Sequence, residues 1–112
     1  MKYFATFTIA ILMLFVFSGG ALAAAGDAEA GKAIFSKNCK VCHGADGKGN
    51  PAIAKVMNAT LPDMTSKDFQ SKTDDALKKQ ITEGGAKMKP IKGLTDQEIA
   101  DVIAYVRSLG KP

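Results

Sequence analysis

The apolar residues after position 25 recur at helical rather than strand spacing, most clearly near the end of the chain. There, four apolar residues share one face of a predicted helix: Ile99, Val102, Ile103 and Val106. Thr95 and Glu98 have the spacing of a capping box ahead of this stripe, and Gly110 follows it. The pattern therefore predicts a final helix between Thr95 and Gly110.

Weaker patterns predict two short helices in the first half of the chain. Asp27 can cap a helix that runs to about Asn38, and Pro51 can open a second helix. The segment between them, residues 44–51, is dense in Gly, Asp and Asn, so we expect a loop there.

The second half shows the same kind of pattern. A turn and a brief helical piece are expected within residues 61–69, and a longer helix is expected after Thr73 or Asp74. A pair of glycines at 84–85 stops that helix, and residues 86–93 are predicted to be extended. No segment alternates apolar and polar residues convincingly, so the predicted fold class is all-α with long loops.

The first 25 residues differ from the rest. Lys2 is the only charge before Asp27, and residues 4–17 are almost unbroken in their apolar character. An A-x-A cleavage pattern follows at residues 21–23. These features predict a signal peptide at 1–23 that is cleaved, one domain at 24–112, and export to the periplasm. The alternative is a retained membrane anchor, because residues 3–25 are just long enough to span a bilayer.

The composition narrows the possible functions. The chain has 112 residues and a formal net charge of +4. This basic excess is small and scattered, so it does not predict nucleic-acid binding. A chain of this size is marginal for a core built of side chains alone, and a covalently held apolar cofactor would add core volume.

The two cysteines and the single histidine of the chain lie together in Cys39-Lys40-Val41-Cys42-His43. C-x-x-C-H is the attachment pattern of c-type haem. On a helical turn, two cysteines three residues apart share a face, so each can form a thioether with a haem vinyl group. His43 is then held beneath the iron as its proximal ligand.

Other chemistries fit this pentapeptide less well. A redox disulfide would need a thioredoxin-like βαβ context, and no strands are predicted. Structural zinc needs four nitrogen or sulfur ligands, whereas the chain has 2 Cys and 1 His. A plain structural disulfide would leave the adjacent His43 without a role. Haem attachment through Cys39 and Cys42 is therefore favoured, with disulfide chemistry as the main alternative.

With one histidine in the chain, the second axial ligand has to be another residue type. Methionine is the natural candidate, because its soft thioether favours ferrous iron. Three methionines follow the predicted cleavage site. Met57 lies in a predicted helix and suits core packing, whereas Met64 could pack against the haem edge. Met88 is favoured as the ligand, because its Gly-then-Pro segment suits a strap across the open haem face.

These residues together resemble the class I cytochrome c family, in its small bacterial monohaem form. Gly31 and Phe35 match the family's first helix, and Val102 and Tyr105 match its last helix. The resemblance implies the cytochrome c fold, with roughly three to five short helices around one covalently bound haem c. It also implies that the first and last helices cross closely, with Gly31 allowing the backbones to approach.

The resemblance also implies a role for Pro51, whose carbonyl would accept the other N–H of His43 and orient the ring. The strap around Met88 departs from the commonest family pattern, in which proline follows methionine directly. Here Lys89 stands between Met88 and Pro90. The departure concerns the local conformation of the strap more than the identity of the ligand.

An iron with both axial positions filled exchanges single electrons and has no vacant position for a substrate. The predicted function is therefore a monomeric one-electron carrier, not an enzyme, without a membrane segment after cleavage. The candidate apolar residues around the haem are Phe35, Leu61, Leu77, Ile81, Ile91, Leu94, Val102 and Val106. Alternatives are a haem-based peroxidase or gas-binding sensor, if Met88 dissociates easily, and a fixed subunit of a larger oxidoreductase.

Five lysines lie in sequence near the haem motif, the glycine loop and the strap: Lys40, Lys48, Lys87, Lys89 and Lys92. If they surround the exposed haem edge, they would steer redox proteins that have acidic docking surfaces. The alternative, equally compatible with the sequence, is that these lysines only keep the surface of the protein soluble.

Overall fold

The computed structural model describes residues 26–110, so the predicted signal peptide at 1–23 lies outside the described residues. Within 26–110 the regular structure is helical and contains no named strand, which confirms the all-α prediction. The described helices are α1 (Ala28–Asn38), α2 (Lys40–His43), α3 (Pro51–Met57), α4 (Lys67–Gln70), α5 (Asp74–Glu83) and α6 (Asp96–Leu109). Six helices are described, against an expected three to five, because the turn at the C-x-x-C-H motif forms a separate helix of 4 residues, α2.

The predicted caps are present at the ends of the longer helices. The Asp27 carboxylate accepts from the Glu29 N–H at 2.9 Å at the start of α1. At α6, the Glu98 N–H donates to the Thr95 hydroxyl at 3.1 Å, and the Thr95 N–H donates to the Glu98 carboxylate at 3.1 Å. This reciprocal pair confirms the capping box. Thr73 caps α5.

Helices α1 and α6 cross with their backbones almost in contact at Gly31. A Cβ atom added there would lie 1.9 Å from the carbonyl oxygen of Asp101, so no larger residue fits without movement. The rings of Phe35 and Tyr105 pack beside this crossing, with centroids 5.1 Å apart and planes inclined by 60°. The close crossing that the resemblance implies is thus present.

The hydrophobic core lies along the α1–α6 crossing. The buried apolar residues are Phe35, Met64, Phe69, Leu77, Ile99, Val102, Ile103 and Val106. Four of them were expected around the haem, whereas Leu61 and Ile91 are only half-buried. The single turn α4 is held in place by Gln70, whose side-chain amide donates to the Val106 carbonyl at 2.9 Å. Within residues 26–110, no helix has the length and apolar character needed to cross a bilayer.

Helix α3 stands apart from this core. It contributes no buried residue, and Val56 on its surface is 84% exposed. Only Ile53, Ala54 and Met57 of this helix are half-buried. Its ends are held by hydrogen bonds, as described below.

Candidate functional site

The C-x-x-C-H segment forms a sharp bend between α1 and α2. The Cys39 N–H donates to the Phe35 carbonyl at 2.8 Å and completes α1, and the His43 N–H donates to the Cys39 carbonyl at 2.9 Å. Gly44, with φ of +77°, ends the turn in a conformation that favours glycine. Both cysteines are free and half-buried. The predicted helical turn at the motif is thus present.

The electrostatics of this segment do not suit a redox thiol. Burial, together with the nearby Cys42 sulfur, raises the pKa of the Cys39 thiol to about 11. Reactive redox cysteines have lowered pKa values, because the thiolate is the attacking species. At neutral pH Cys39 is therefore a protonated thiol, which counts against a reactive redox cysteine.

His43 is the buried ring of the site, with 9% of its surface exposed. Burial lowers the pKa of His43 below its ordinary value of 6.5, so the imidazole is neutral at pH 7. Its Nδ1 atom is buried and has no hydrogen-bond partner. A neutral imidazole offers one nitrogen lone pair to a metal while the other ring nitrogen carries a proton.

The loop after the motif folds back against α2. The Gly49 N–H donates to the His43 carbonyl at 2.7 Å, and the Asn50 N–H donates to the Cys42 carbonyl at 2.8 Å. Pro51 then opens α3 as predicted. The hydrogen bond from His43 Nδ1 to the Pro51 carbonyl is not formed in this structure, since Nδ1 has no partner. The positioning role of Pro51 stays a prediction.

The structure separates the three candidate methionines. Met64 is buried in the core, with 7% of its surface exposed. Its N–H donates to the Gly47 carbonyl at 2.9 Å, which ties it to the glycine loop. Met57 is the half-buried last residue of α3, and Met88 is half-buried outside the core. Met88 is therefore available for a role other than core packing, whereas Met64 is not.

The segment that carries Met88 is a tight turn in its first half, not the extended strap that was predicted. Gly85 and Met88 form a pair of backbone hydrogen bonds of 3.1 and 2.9 Å. Gly84 and Ala86 allow this turn by adopting φ values of +70° and +48°. The Ile91 N–H then donates to the carbonyl of Ile81 on α5 at 2.8 Å, so the segment is fastened to α5 on its far side.

Two polar side chains near Met88 were not identified from the sequence as part of the site. The Gln80 amide donates to the Met88 sulfur at 3.4 Å. The Lys87 ammonium donates to the Met57 carbonyl at 2.7 Å and also to the Asn58 carbonyl. Lys87 was expected only as a steering charge, and no local pattern could reveal a contact across 30 residues.

Residues 26–110 contain no group of three His, Cys, Asp or Glu side chains that could hold a metal ion, which gives the zinc alternative no support.

Comparison with known proteins then decides the family. The profile of the Cytochrome c family matches residues 28–110. The chain belongs to the cytochrome c family.

Several relatives of this family are similar to the chain. Cytochrome c6 of Gloeothece citriformis is 38% identical over 108 residues, which cover 95% of this chain and 93% of that protein. Cytochrome c6 of Synechocystis is 37% identical over 92 residues, covering 81% of this chain and 72% of that protein. The cbb3-type cytochrome c oxidase subunit FixP of Bradyrhizobium is 39% identical over 87 residues, but these cover only 28% of that subunit and 75% of this chain.

Family membership makes haem c the cofactor, attached through Cys39 and Cys42. The described residues fit such a group. Cys39 and Cys42, both half-buried, lie with the buried neutral imidazole of His43 at the α2 turn, and no residue of the following helix α3 is buried. When bound, the haem supplies one-electron exchange between ferric and ferrous iron. The chain is therefore an electron-transfer protein.

Proposed function

We propose that this protein is an exported, soluble, monomeric carrier of single electrons in the periplasm, whose haem iron is ligated by His43 and Met88. The observation that carries the proposal is the different placement of the methionines around the motif. Met64 is committed to the core, whereas Met88 lies in a braced turn outside it. A thioether held by protein in both oxidation states leaves no position for substrates, so the proposed function is electron transfer and not catalysis.

The chain's own residues would perform three tasks for such a carrier. Phe35 and the α1–α6 crossing supply a rigid wall beside the motif. The buried imidazole of His43 supplies the proximal nitrogen. Half-buried apolar residues, among them Leu61 and Ile91, are available to exclude water from the cofactor. A drier surrounding favours the ferrous state and raises the reduction potential.

The assignment of Met88 is tested with the haem-loaded protein. Met88→Ala should remove the weak sulfur-to-ferric-iron absorption band and lower the reduction potential, because water or hydroxide replaces the thioether. Met64→Leu is the matched control, since it removes a methionine from the core and should leave the band in place. Loss of the band in Met64→Leu but not in Met88→Ala would contradict the assignment. A wild type that is high-spin and binds cyanide rapidly in the ferric state, or CO rapidly in the ferrous state, would favour a peroxidase or gas sensor instead.

Export and partner choice complete the proposal. If residues 1–23 direct export and are then cleaved, the mass of the periplasmic holoprotein should show a chain that begins at residue 24. Lys40, Lys48, Lys89 and Lys92 are exposed, which suits steering of redox proteins with acidic docking surfaces. Reduction by such a partner should slow as salt is added, whereas a rate independent of salt would rule out steering.

A further inference from the structure

Helix α3 connects the segments that carry the two proposed iron ligands. At its start, the Asn50 side-chain amide donates to the Val41 carbonyl at 3.3 Å, and the Asn50 N–H donates to the Cys42 carbonyl at 2.8 Å. These bonds join α3 to the haem-attachment turn. At its end, α3 meets the Met88 turn through Lys87.

The Lys87 contact has the chemistry of a helix C-terminal cap. The last carbonyls of a helix lack intrahelical partners and carry the negative end of the helix dipole. The ammonium group of Lys87 donates to two consecutive carbonyls there, those of Met57 and Asn58. Asn58, with φ of +48°, has left the helical conformation, so its carbonyl accepts from outside α3. Charge-assisted hydrogen bonds of this kind are stronger than those between neutral groups.

The position of Lys87 gives this cap its significance. Lys87 directly precedes Met88 within the turn that two Gly85–Met88 backbone hydrogen bonds close. Because these two hydrogen bonds close the turn at both of its ends, holding Lys87 against α3 also restrains the Met88 backbone. On its other side the turn is tied to α5 by the Ile91–Ile81 hydrogen bond. Without the Lys87 hydrogen bonds, the turn would be held only on its α5 side.

We infer that Lys87 is a positioning residue that keeps Met88 on the iron by clamping its turn to the C-terminal end of α3. The inference rests on the proposed His43 and Met88 ligation. Lys87 does not touch the iron, and its effect is on how often Met88 leaves it. Removing the clamp should therefore increase the population of haem whose sixth position is open, with little effect on the α1–α6 crossing.

The test compares Lys87→Gln with Lys89→Gln in the ferric holoprotein. Lys89 is also exposed and adjacent to Met88, and it makes no such hydrogen bond within residues 26–110, so its variant removes the same charge without removing the clamp. Cyanide binds only when Met88 has left the iron. Lys87→Gln should bind cyanide about tenfold faster, from the loss of a charge-assisted hydrogen bond at an exposed site. Lys87→Arg, which can still donate to the two carbonyls, should restore most of the wild-type rate.

The sulfur-to-iron band provides a second reading that does not depend on activity. In Lys87→Gln the band should vanish at a lower temperature than in wild type, whereas in Lys89→Gln it should persist to the wild-type temperature. Equal behaviour of the two variants, with the band present in wild type, would overturn the clamp and leave the proposed function intact. A wild type without the band would overturn the ligation itself, and the clamp with it.

Discussion

Among single residues, Gln80 stands out because its amide donates to the sulfur of the proposed iron ligand at 3.4 Å. A hydrogen bond to a ligand atom withdraws electron density from it, which weakens its donation to ferric iron. Gln80 lies 8 residues before Met88 in the sequence and belongs to no recognised motif. The sequence contains no signal for this contact, since the turn that brings Met88 back to α5 depends on backbone conformations at Gly84 and Ala86.

We expect Gln80→Leu to lower the reduction potential of the holoprotein, because the unassisted thioether stabilises ferric iron better. The change should be on the order of 20–40 mV, which corresponds to about 0.5–1 kcal/mol of net hydrogen-bond energy for one electron. A redox titration measures it, and retention of the sulfur-to-iron band shows that Met88 is still bound. A potential that rises, or does not move, would contradict a role of Gln80 at the ligand.

Among the elements, the α1–α6 crossing has the closest backbone approach, at Gly31. Replacing a glycine in a helix interior by alanine ordinarily stabilises the helix. Here the added methyl group would lie 1.9 Å from the Asp101 carbonyl oxygen, so the helices would have to separate. The two effects oppose each other, and the steric cost is the larger one.

Gly31→Ala should therefore lower the free energy of unfolding by about 3 kcal/mol, as overpacking against backbone does at the upper end of its usual range. Denaturant titration of the holoprotein provides the measurement. Lys32→Ala, at the next and exposed position of α1, should change stability by less than about 0.5 kcal/mol. A stabilised Gly31→Ala would show that the helices cross at a greater distance than described.

The elements also differ in how far their sequences determine them. Helix α6 follows from an apolar stripe and a capping box, both of which are local signals. The α2 turn could be placed only because the C-x-x-C-H motif needs one. Helix α4 is a single turn held by Gln70 bonds to distant carbonyls, so its bounds were not predictable from spacing. The Met88 segment was predicted to be extended because glycine and proline exclude helix, but they do not distinguish a strap from a tight turn.

The residues of the candidate site also divide into those that local sequence predicts and those that only the fold reveals. Cys39, Cys42 and His43 lie close together in sequence and were predicted from it, whereas the raised pKa of Cys39 and the lowered pKa of His43 follow chiefly from burial, which only the fold supplies. Met64 was a possible haem contact from sequence; it is a core residue, and its contact with the haem edge stays a prediction. The contacts of Lys87 and Gln80 join residues that the chain separates, so they required the three-dimensional structure.

For the molecule as a whole, Asp101 makes stability depend on pH. It is 7% exposed, and its carboxylate accepts from the Asp27 N–H at 2.8 Å and from the Gln97 amide at 2.9 Å. The hydrogen bond from Asp27 has the larger effect and that from Gln97 the smaller, and together they hold the pKa of Asp101 below its ordinary value of 3.8. A carboxyl group whose folded pKa is lowered stabilises the fold above its unfolded pKa and loses that contribution as pH falls through the folded pKa.

Asp101→Asn should accordingly be less stable than wild type at pH 7, and the gap should narrow as pH falls below about 4. Denaturant unfolding of the two holoproteins from pH 7 to pH 3 measures the gap. Asp75→Asn is the matched control, because Asp75 is exposed on α5 and its side chain accepts no such hydrogen bonds within residues 26–110. A gap that widens toward acid would contradict the charged Asp101 as the stabilising form.

The Asp27–Asp101 hydrogen bond spans 74 residues, and the Gly31 crossing spans nearly as many. The framework of the molecule is thus assembled from segments made at the beginning and at the end of synthesis of the domain. Helix α1 gains its main packing partner only when the 14 residues of α6 are present, so this long-range contact closes after the chain between them has been made. Truncation before α6 would accordingly leave Gly31 and Phe35 without the helix against which they pack.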